Sequence, residues 1–350
     1  MFNFSKTEKK QILVTGGGGY IGSHFVLKAL QNDYNIVILD NFSTGHKEIV
    51  DRLNKLNLSG KIVHIAKGDL KRENDIRKLF KKYNFDAVVH FAAFSQVPES
   101  VQNPQKYYFN NVFGTLNLLK IMLEFNVKKI VFSSTASTYG EPLYTPIDEK
   151  HIQNPINPYG NTKFFIERIM EDYDRAYGLK SIRLRYFNVI GANEKGITGE
   201  WHDPETHLVP NILKSAIFEN KIFKLYGSDY DTKDGTCIRD YIDVEDLADA
   251  HIKALEYLYK ENKSDFFNLG SKNGNTTKEI FDICEKVLNK KIKYDVEKRR
   301  DGDCAILVAD NQKAKEILGW SPEKTLEQSV KSAYEWHKLK QEEKCKTQSR

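Results

Sequence analysis

Tyr159 and Lys163 are the residues whose types and spacing most directly suggest chemistry. They stand four apart in Tyr-Gly-Asn-Thr-Lys, at the start of a predicted helix, which places both side chains on one face. A cationic lysine near a phenol lowers the phenol pKa toward neutrality and makes it a usable base. The same spacing also suits an ordinary surface helix, so its surroundings decide its meaning. Upstream, a predicted strand ends in the hydroxyl run Ser133-Ser134-Thr135-Ala136-Ser137-Thr138. A hydroxyl at the carboxyl end of a strand, Thr135 above all, can meet the tyrosine over a bound ligand.

A second constellation follows the first strand. Gln11–Thr15 runs directly into Gly16-Gly17-Gly18-Gly19-Tyr20-Ile21-Gly22, in which Gly16, Gly19 and Gly22 make a GxxGxxG pattern. Glycine permits a tight turn and close approach of backbone to a pyrophosphate, and the third glycine lets the helix pack near the strand. The helix N-terminus then offers N–H groups and a positive dipole end to the phosphates. Asp40 ends the second strand, about 20 residues past the last glycine, where an acid can hold a ribose. Asn41 follows, and no arginine stands beside the acid to take a 2′-phosphate, which favours NAD over NADP. Asp69, after the third strand, suits either an adenine amino group or a helix N-cap. Phe91-Ala92-Ala93 ends the fourth strand at the edge where such sheets bind ligands.

The elements that must hold these groups alternate. Short Val- and Ile-rich strands are expected at Gln11–Thr15, Asn35–Leu39, Lys61–Ala66, Asp86–Phe91, Lys128–Ser133 and Ser181–Arg185. Helices are expected at Tyr20–Gln31, Pro104–Phe125 and Tyr159–Ala176. The pattern predicts an α/β fold with a doubly wound parallel sheet. Residues 1–188 are read as the dinucleotide domain, 189–340 as a smaller α/β substrate domain that can exchange segments with it, and 341–350 as a tail. The charged stretch from Lys338 onward is expected to fray.

Composition narrows the class. The net charge of +5 comes from interleaved signs, with no basic block carrying aromatics, so no nucleic-acid partner is expected. No apolar run is long enough to span a bilayer, and the first residues lack the apolar stretch of a signal peptide. Cys237, Cys284, Cys304 and Cys345 form no CxxC pair, so neither a metal site nor a disulfide framework is expected. A cytoplasmic protein with reduced cysteines is the expectation.

Glycine motif, hydroxyl run and YxxxK, in this order, resemble the extended short-chain dehydrogenase/reductase superfamily. Within it, TGGGGYIGSH, LDNFSTG, HFAAFSQVPES, YYFNNVFGT, FSSTASTYGEP, NPYGNTK, LRYFNVIGA, DGTCIRDYI and RRDGD resemble the UDP-glucose (UDP-galactose) 4-epimerases along about residues 11–340. The resemblance implies that Tyr159 takes the proton from sugar O4, that Lys163 holds the nicotinamide ribose and tunes the tyrosine, and that Thr135 stands for the usual serine. It implies NAD contacts at Tyr20, Ile21, Asp40, Asn41, Asp69, Phe91, Asn110 and Phe187. Neighbouring positions Phe42, Ser43, Thr44, Gly45, Leu70, Ala92, Ala93 and Ser95 join them, with Ser95 standing where many epimerases carry lysine. UDP-hexose contacts are implied at Asn188, His207, Leu208, Lys224, Leu225 and Tyr226. Arg239, Arg300 and Asp303 complete the set, the two guanidinium groups being suited to phosphate. Leu307 stands where a tyrosine restricts the sugar pocket of enzymes confined to glucose and galactose, so either N-acetylhexosamines fit by size or local repacking closes the space. Relatives form homodimers through paired long helices, here around Tyr107–Phe125 and Tyr159–Ala176.

The reaction implied is C4 inversion through a transient 4-keto sugar, with cofactor retained. A sugar-nucleotide 4,6-dehydratase would place Asp-Glu after the threonine, whereas Ala136-Ser137 stand here. A net dehydrogenase leaves Arg239 and Arg300 unexplained. A non-catalytic NAD sensor on the same fold is disfavoured by the intact Tyr159/Lys163 pair.

Overall fold

The computed structural model describes residues 9–217, 222–299 and 304–348. Its strands are β1 (Gln11–Thr15), β2 (Asn35–Asp40), β3 (Lys61–Lys67), β4 (Ala87–His90), β5 (Lys129–Ser133), β6 (Lys180–Tyr186) and β7 (Asn188–Ile190). Then come β8 (Phe223–Tyr226), β9 (Ile238–Asp243), β10 (Asp265–Leu269), β11 (Gly274–Thr276), β12 (Tyr294–Glu297) and β13 (Ile306–Leu307). The helices are α1 (Tyr20–Gln31), α2 (Lys47–Asn54), α3 (Glu73–Lys82), α4 (Val97–Gln102), α5 (Pro104–Tyr107), α6 (Gly114–Glu124) and α7 (Pro158–Tyr177). They continue with α8 (Leu208–Ile217), α9 (Val244–Glu261), α10 (Thr277–Leu288) and α11 (Leu326–Gln348).

Seven parallel strands form the main sheet in the order β10-β6-β5-β4-β1-β2-β3. The central strands β1, β2, β4 and β5 are largely apolar on both faces because helices cover both. Ile12, Val14, Ile36 and Ile38 face α1, α2 and α9, while Leu13, Val37 and Leu39 face α3, α6 and α7. The alternation follows the two-residue period of a strand. This is the doubly wound arrangement of a Rossmann fold, and the order reverses between β1 and β4. A crevice opens outside the strand ends at that point, where such folds take their ligands.

β10 comes from the later half of the chain yet adds to the edge of this sheet beside β6. The other late strands make smaller sheets, one of them holding β11, β9 and β13 with β7 paired to β9, the other pairing β12 with β8. They pack with α8, α10 and α11 around Val209, Ile212, Leu213, Ile280 and Val330.

Two local differences from the sequence reading have physical causes. The helix expected across Pro104–Phe125 contains a π turn at Tyr108–Phe113, between α5 and α6. That turn shifts the helix phase and is a device common at functional sites. The stretch expected to fray from Lys338 is helical through Gln348. It contains no proline or glycine, and it is tied down by Arg52–Glu343 (2.6 Å) and by Lys340 Nζ, 3.5 Å over the Trp201 ring.

Candidate active site

The glycine turn is a cradle that larger residues would fill. Gly16 has φ +74°, and a Cβ there would lie 2.7 Å from Ala92 N. A Cβ on Gly22 would lie 2.1 Å from the Gly16 carbonyl oxygen. α1 begins after Gly19 with no capping side chain, which leaves its first turn open toward the crevice. Gly16, Gly19, Tyr20, Ile21 and Gly22 all line a cleft of about 370 Å³, a size within the range of cofactor and ligand sites.

Asp40 is buried on the same wall. It accepts Gly18 N–H at 2.8 Å and Phe42 N–H at 2.7 Å, so it orders the glycine turn from within. Burial raises its pKa against the pull of these two N–H groups. Asp69 borders the cleft too, and the N-cap of α3 is Arg72, not Asp69. Its carboxylate accepts Lys71 N–H at 2.9 Å and Asn41 Nδ2 at 3.2 Å. Burial opposes its ionisation, but these donors and the Lys71 charge hold its pKa below the ordinary value. These features fit a dinucleotide with free ribose hydroxyls.

The π turn points Asn110 into the cleft and leaves Asn111 buried behind it. Asn111 spans three elements, accepting Phe94 N–H (2.9 Å) and donating to Phe94 O (3.0 Å) and Thr162 Oγ1 (3.1 Å). α7 is fixed at its start by Asn157, which accepts Gly160 N–H at 2.8 Å, with Pro158 in the first turn.

Tyr159 and Lys163 stand one turn apart on α7, both buried, and both line the cleft with Thr135. Thr135 Oγ1 accepts Ser137 N–H at 3.1 Å, which holds the hydroxyl at the end of β5. Lys163 Nζ donates to Ser133 O at 2.7 Å and lies 4.7 Å over the Phe132 ring. Burial pushes Tyr159 up to about 12, with the Thr135 hydroxyl pulling it back. Burial also pulls Lys163 down to about 7, against the Glu167 carboxylate. In the protein alone, burial therefore outweighs any pull of the lysine on the phenol. The dry site suppresses both charges, and the lysine is turned to a backbone carbonyl.

The carboxylates on the cleft wall, Asp40 and Asp69, both stand at the glycine-turn end. Beside Thr135 the chain offers hydroxyls and aromatic rings. The wall continues through Phe187, Asn188, His207 and Leu208.

The family model described as GDP-mannose 4,6 dehydratase matches residues 13–333. A UDP-glucose 4-epimerase of Lactobacillus helveticus is 48% identical over 329 residues, spanning 94% of this chain and 97% of the relative. This chain belongs to the UDP-glucose 4-epimerase family. Among solved structures, the UDP-glucose 4-epimerase from Bifidobacterium longum in complex with NAD+ and UDP superimposes with a TM-score of 0.89 at 37% identity, covering 94% of this chain and 98% of that one. The UDP-Glc/GlcNAc 4-epimerase of Campylobacter jejuni has a TM-score of 0.81 at 41% identity, covering 94% and 99%.

The structure brings most positions implied by the epimerase resemblance to this one cleft. Asn41, Ser43, Thr44, Gly45, Leu70, Phe91, Ala92, Ala93 and Ser95 join those described above. Others lie off its wall. The Phe42 ring stands against Gly18. Leu225 is buried in the smaller core because alternate residues of β8 face it, and Lys224 points outward to Glu297 at 2.8 Å. Tyr226 ends the same strand. Arg239 donates to Ile238 O at 2.9 Å and sits opposite Leu307 in the β9–β13 pairing. Leu307 packs with Ala136 and Phe187, one layer behind the wall. Arg300 and Asp303 lie outside the described residues.

Several wall residues are not among the site residues expected from the sequence. Ser137 lies two past Thr135 in the hydroxyl run, and Tyr186 lies one before Phe187. Both adjoin motifs that were read and could have been taken with them. His202 and Tyr241 also line the cleft. His202 belongs to the histidine and glutamate spacing of residues 200–207.

Proposed function

We propose that this protein is an NAD-dependent epimerase that interconverts UDP-glucose and UDP-galactose at C4. The observation that carries this reading is one cleft holding both the glycine cradle and Tyr159, Lys163 and Thr135. The similarity to UDP-glucose 4-epimerases over 94% of the chain supports it. NAD held by the glycine cradle would supply a hydride acceptor for C4 of the sugar and a donor for the hydride's return to the other face. Tyr159 removes the O4 proton and later restores it. Thr135 holds the reacting hydroxyl and the phenol together, and Lys163 turns from Ser133 O to the ribose side of the cleft. Dehydration needs an acid near the threonine, and the wall acids Asp40 and Asp69 stand at the far end, which disfavours it.

The test is proton NMR of UDP-galactose incubated with purified protein and no added NAD. The gluco epimer is expected. Its absence even with NAD supplied would refute the reading.

Two finer statements accompany this one. We read Leu307 as admitting N-acetylhexosamines, since it packs behind Phe187 and relieves bulk there. A UDP-Glc/GlcNAc 4-epimerase among the relatives supports this. Turnover of UDP-N-acetylgalactosamine is expected, and Leu307→Tyr should abolish it while sparing UDP-galactose. We also read the protein as a cytoplasmic homodimer. No helix of the described residues is long and apolar enough to cross a membrane. Phe109, Phe113 and Phe165 are 54%, 40% and 43% exposed on adjacent helices, where a twofold bundle would cover them.

A further inference from the structure

We propose that Glu200, His202, Glu205 and His207 form a binding site for a divalent transition-metal ion of the zinc class, beside the ligand cleft. Cysteine spacing gave no sign of a metal, but these four residues occupy one short segment between β7 and α8. Their nearest ligand atoms all lie within 4.8 Å of one another. Two imidazoles and two carboxylates are a donor set that suits zinc, whereas calcium and magnesium prefer oxygen alone.

Two of the spacings approach those of a tetrahedral centre. Bonds of about 2.1 Å place tetrahedral ligand atoms about 3.4 Å apart. His202 Nδ1 lies 3.2 Å from Glu200 Oε1 and 3.7 Å from Glu205 Oε1. His207 Nδ1 contacts the same Glu200 oxygen. His202 Nδ1 is shielded from solvent and, despite its short distances, makes no aligned hydrogen bond. A buried ring nitrogen without a hydrogen bond calls for a partner, and a metal ion is one such partner.

Charge points the same way. The Glu200 and Glu205 side chains are only 3% and 5% exposed, so two negative charges are held out of water. Lys214 Nζ, 3.2 Å from Glu205 Oε2, offsets one. One negative charge is then left beside the two imidazoles. A dication placed between them would meet that charge and bind both nitrogens.

The segment is already held in place. Trp336 Nε1 donates to Glu200 O at 2.8 Å, His46 Nε2 contacts Trp201 O at 2.8 Å, and Asn211 Nδ2 donates to His207 O at 2.9 Å. Little ordering is left for the ion to impose. His202 and His207 also line the cleft, so an ion here pins the wall leading into α8.

The test uses untagged full-length protein with its natural cofactor content, stripped with EDTA and titrated with Zn2+, bound metal being counted by elemental analysis after gel filtration. Co2+ serves as a visible stand-in, whose absorption bands report a four-coordinate site. About one ion per chain is expected. His202→Gln and Glu200→Gln should each weaken binding by at least about tenfold and bleach the cobalt bands. His64→Gln, on β3, is the control. No stoichiometric uptake, or uptake unchanged in His202→Gln, would overturn the proposal. If Glu200→Gln fails to fold, His202→Gln decides, because its loss leaves Glu200 paired with His207.

Discussion

Glu167 lies one turn beyond Lys163 on α7 and is almost wholly buried with Arg185, at side-chain exposures of 1% and 3%. Arg185 Nε reaches its oxygens at 3.0 and 3.1 Å, and Nη2 reaches Oε2 at 2.5 Å. Ser134 Oγ also donates to Glu167, while Arg185 Nη1 donates to Tyr139 Oη at 2.9 Å. Ser134 sits between the carbonyl that holds Lys163 and the Thr135 hydroxyl, so the pair braces the strand end that carries the chemistry. Charges about 4 Å apart between centres attract by about 4 kcal/mol at an effective dielectric of about 20. Glutamine at 167 keeps some hydrogen bonds but strands the guanidinium, and removing one partner of a buried pair costs about 3–5 kcal/mol. Glu167→Gln should therefore destabilise the protein by about 3 kcal/mol. Glu167→Gln with Arg185→Met should be more stable than the sum of the single losses, because no charge is left unpaired. Urea unfolding of the four proteins at saturating NAD measures this coupling. Glu167 also raises the Lys163 pKa, so the single variant should shift its kcat optimum to lower pH. A loss below about 1 kcal/mol for Glu167→Gln, or additive losses, would refute the bracing argument.

Lys163 supplies a second prediction, since burial brings its folded pKa to about 7, below the ordinary 10.5. Between these values the unfolded chain binds a proton that the folded one does not, so stability rises with pH by up to about 1.4 kcal/mol per unit. Lys163→Met should flatten that slope in cofactor-free protein between pH 7 and 10, as read by urea midpoints, and equal slopes would mean that the lysine is not desolvated. Gly22→Ala would set a methyl 2.1 Å from the Gly16 carbonyl oxygen. It should purify without bound NAD, as measured by release on denaturation, and full retention would contradict the cradle. Tyr159→Phe keeps the packing of the ring but loses the acid–base group. It should lower kcat by about 10² to 10⁴ while NAD stays bound, and wild-type kcat would remove Tyr159 from the chemistry.

The parallel sheet was legible because its strands are short apolar runs separated by helical stretches. β1 and α1 fall where the sequence reading puts them, and the other strands of the first half differ by a residue or so at their ends. β10 was not legible as a sheet strand. Asp265–Leu269 mixes polar and aromatic residues, and only tertiary packing shows it lying beside β6. The π turn was equally silent, since nothing in Tyr108–Phe113 announces one extra residue in a helical turn. The long last helix was underread because a high charge density was taken for fraying. Its anchors, Glu343 to Arg52 and Lys340 to Trp201, are far apart in sequence.

At the catalytic pair, the sequence shows proximity but not dryness. Four-residue spacing places Tyr159 and Lys163 together and invites the inference that one charge tunes the other. Burial works against both ionisations at once, moving the phenol up to about 12 and the ammonium down to about 7. A lysine poised near neutral pH carries its charge only part of the time, so it lowers a neighbouring phenol less than a fully ionised one would. The site needs a further positive charge beside the phenol, which an oxidised nicotinamide carries. Cofactor in the cradle would then favour the phenolate. The glycine turn and the tyrosine would in that way be coupled through the ligand that both border.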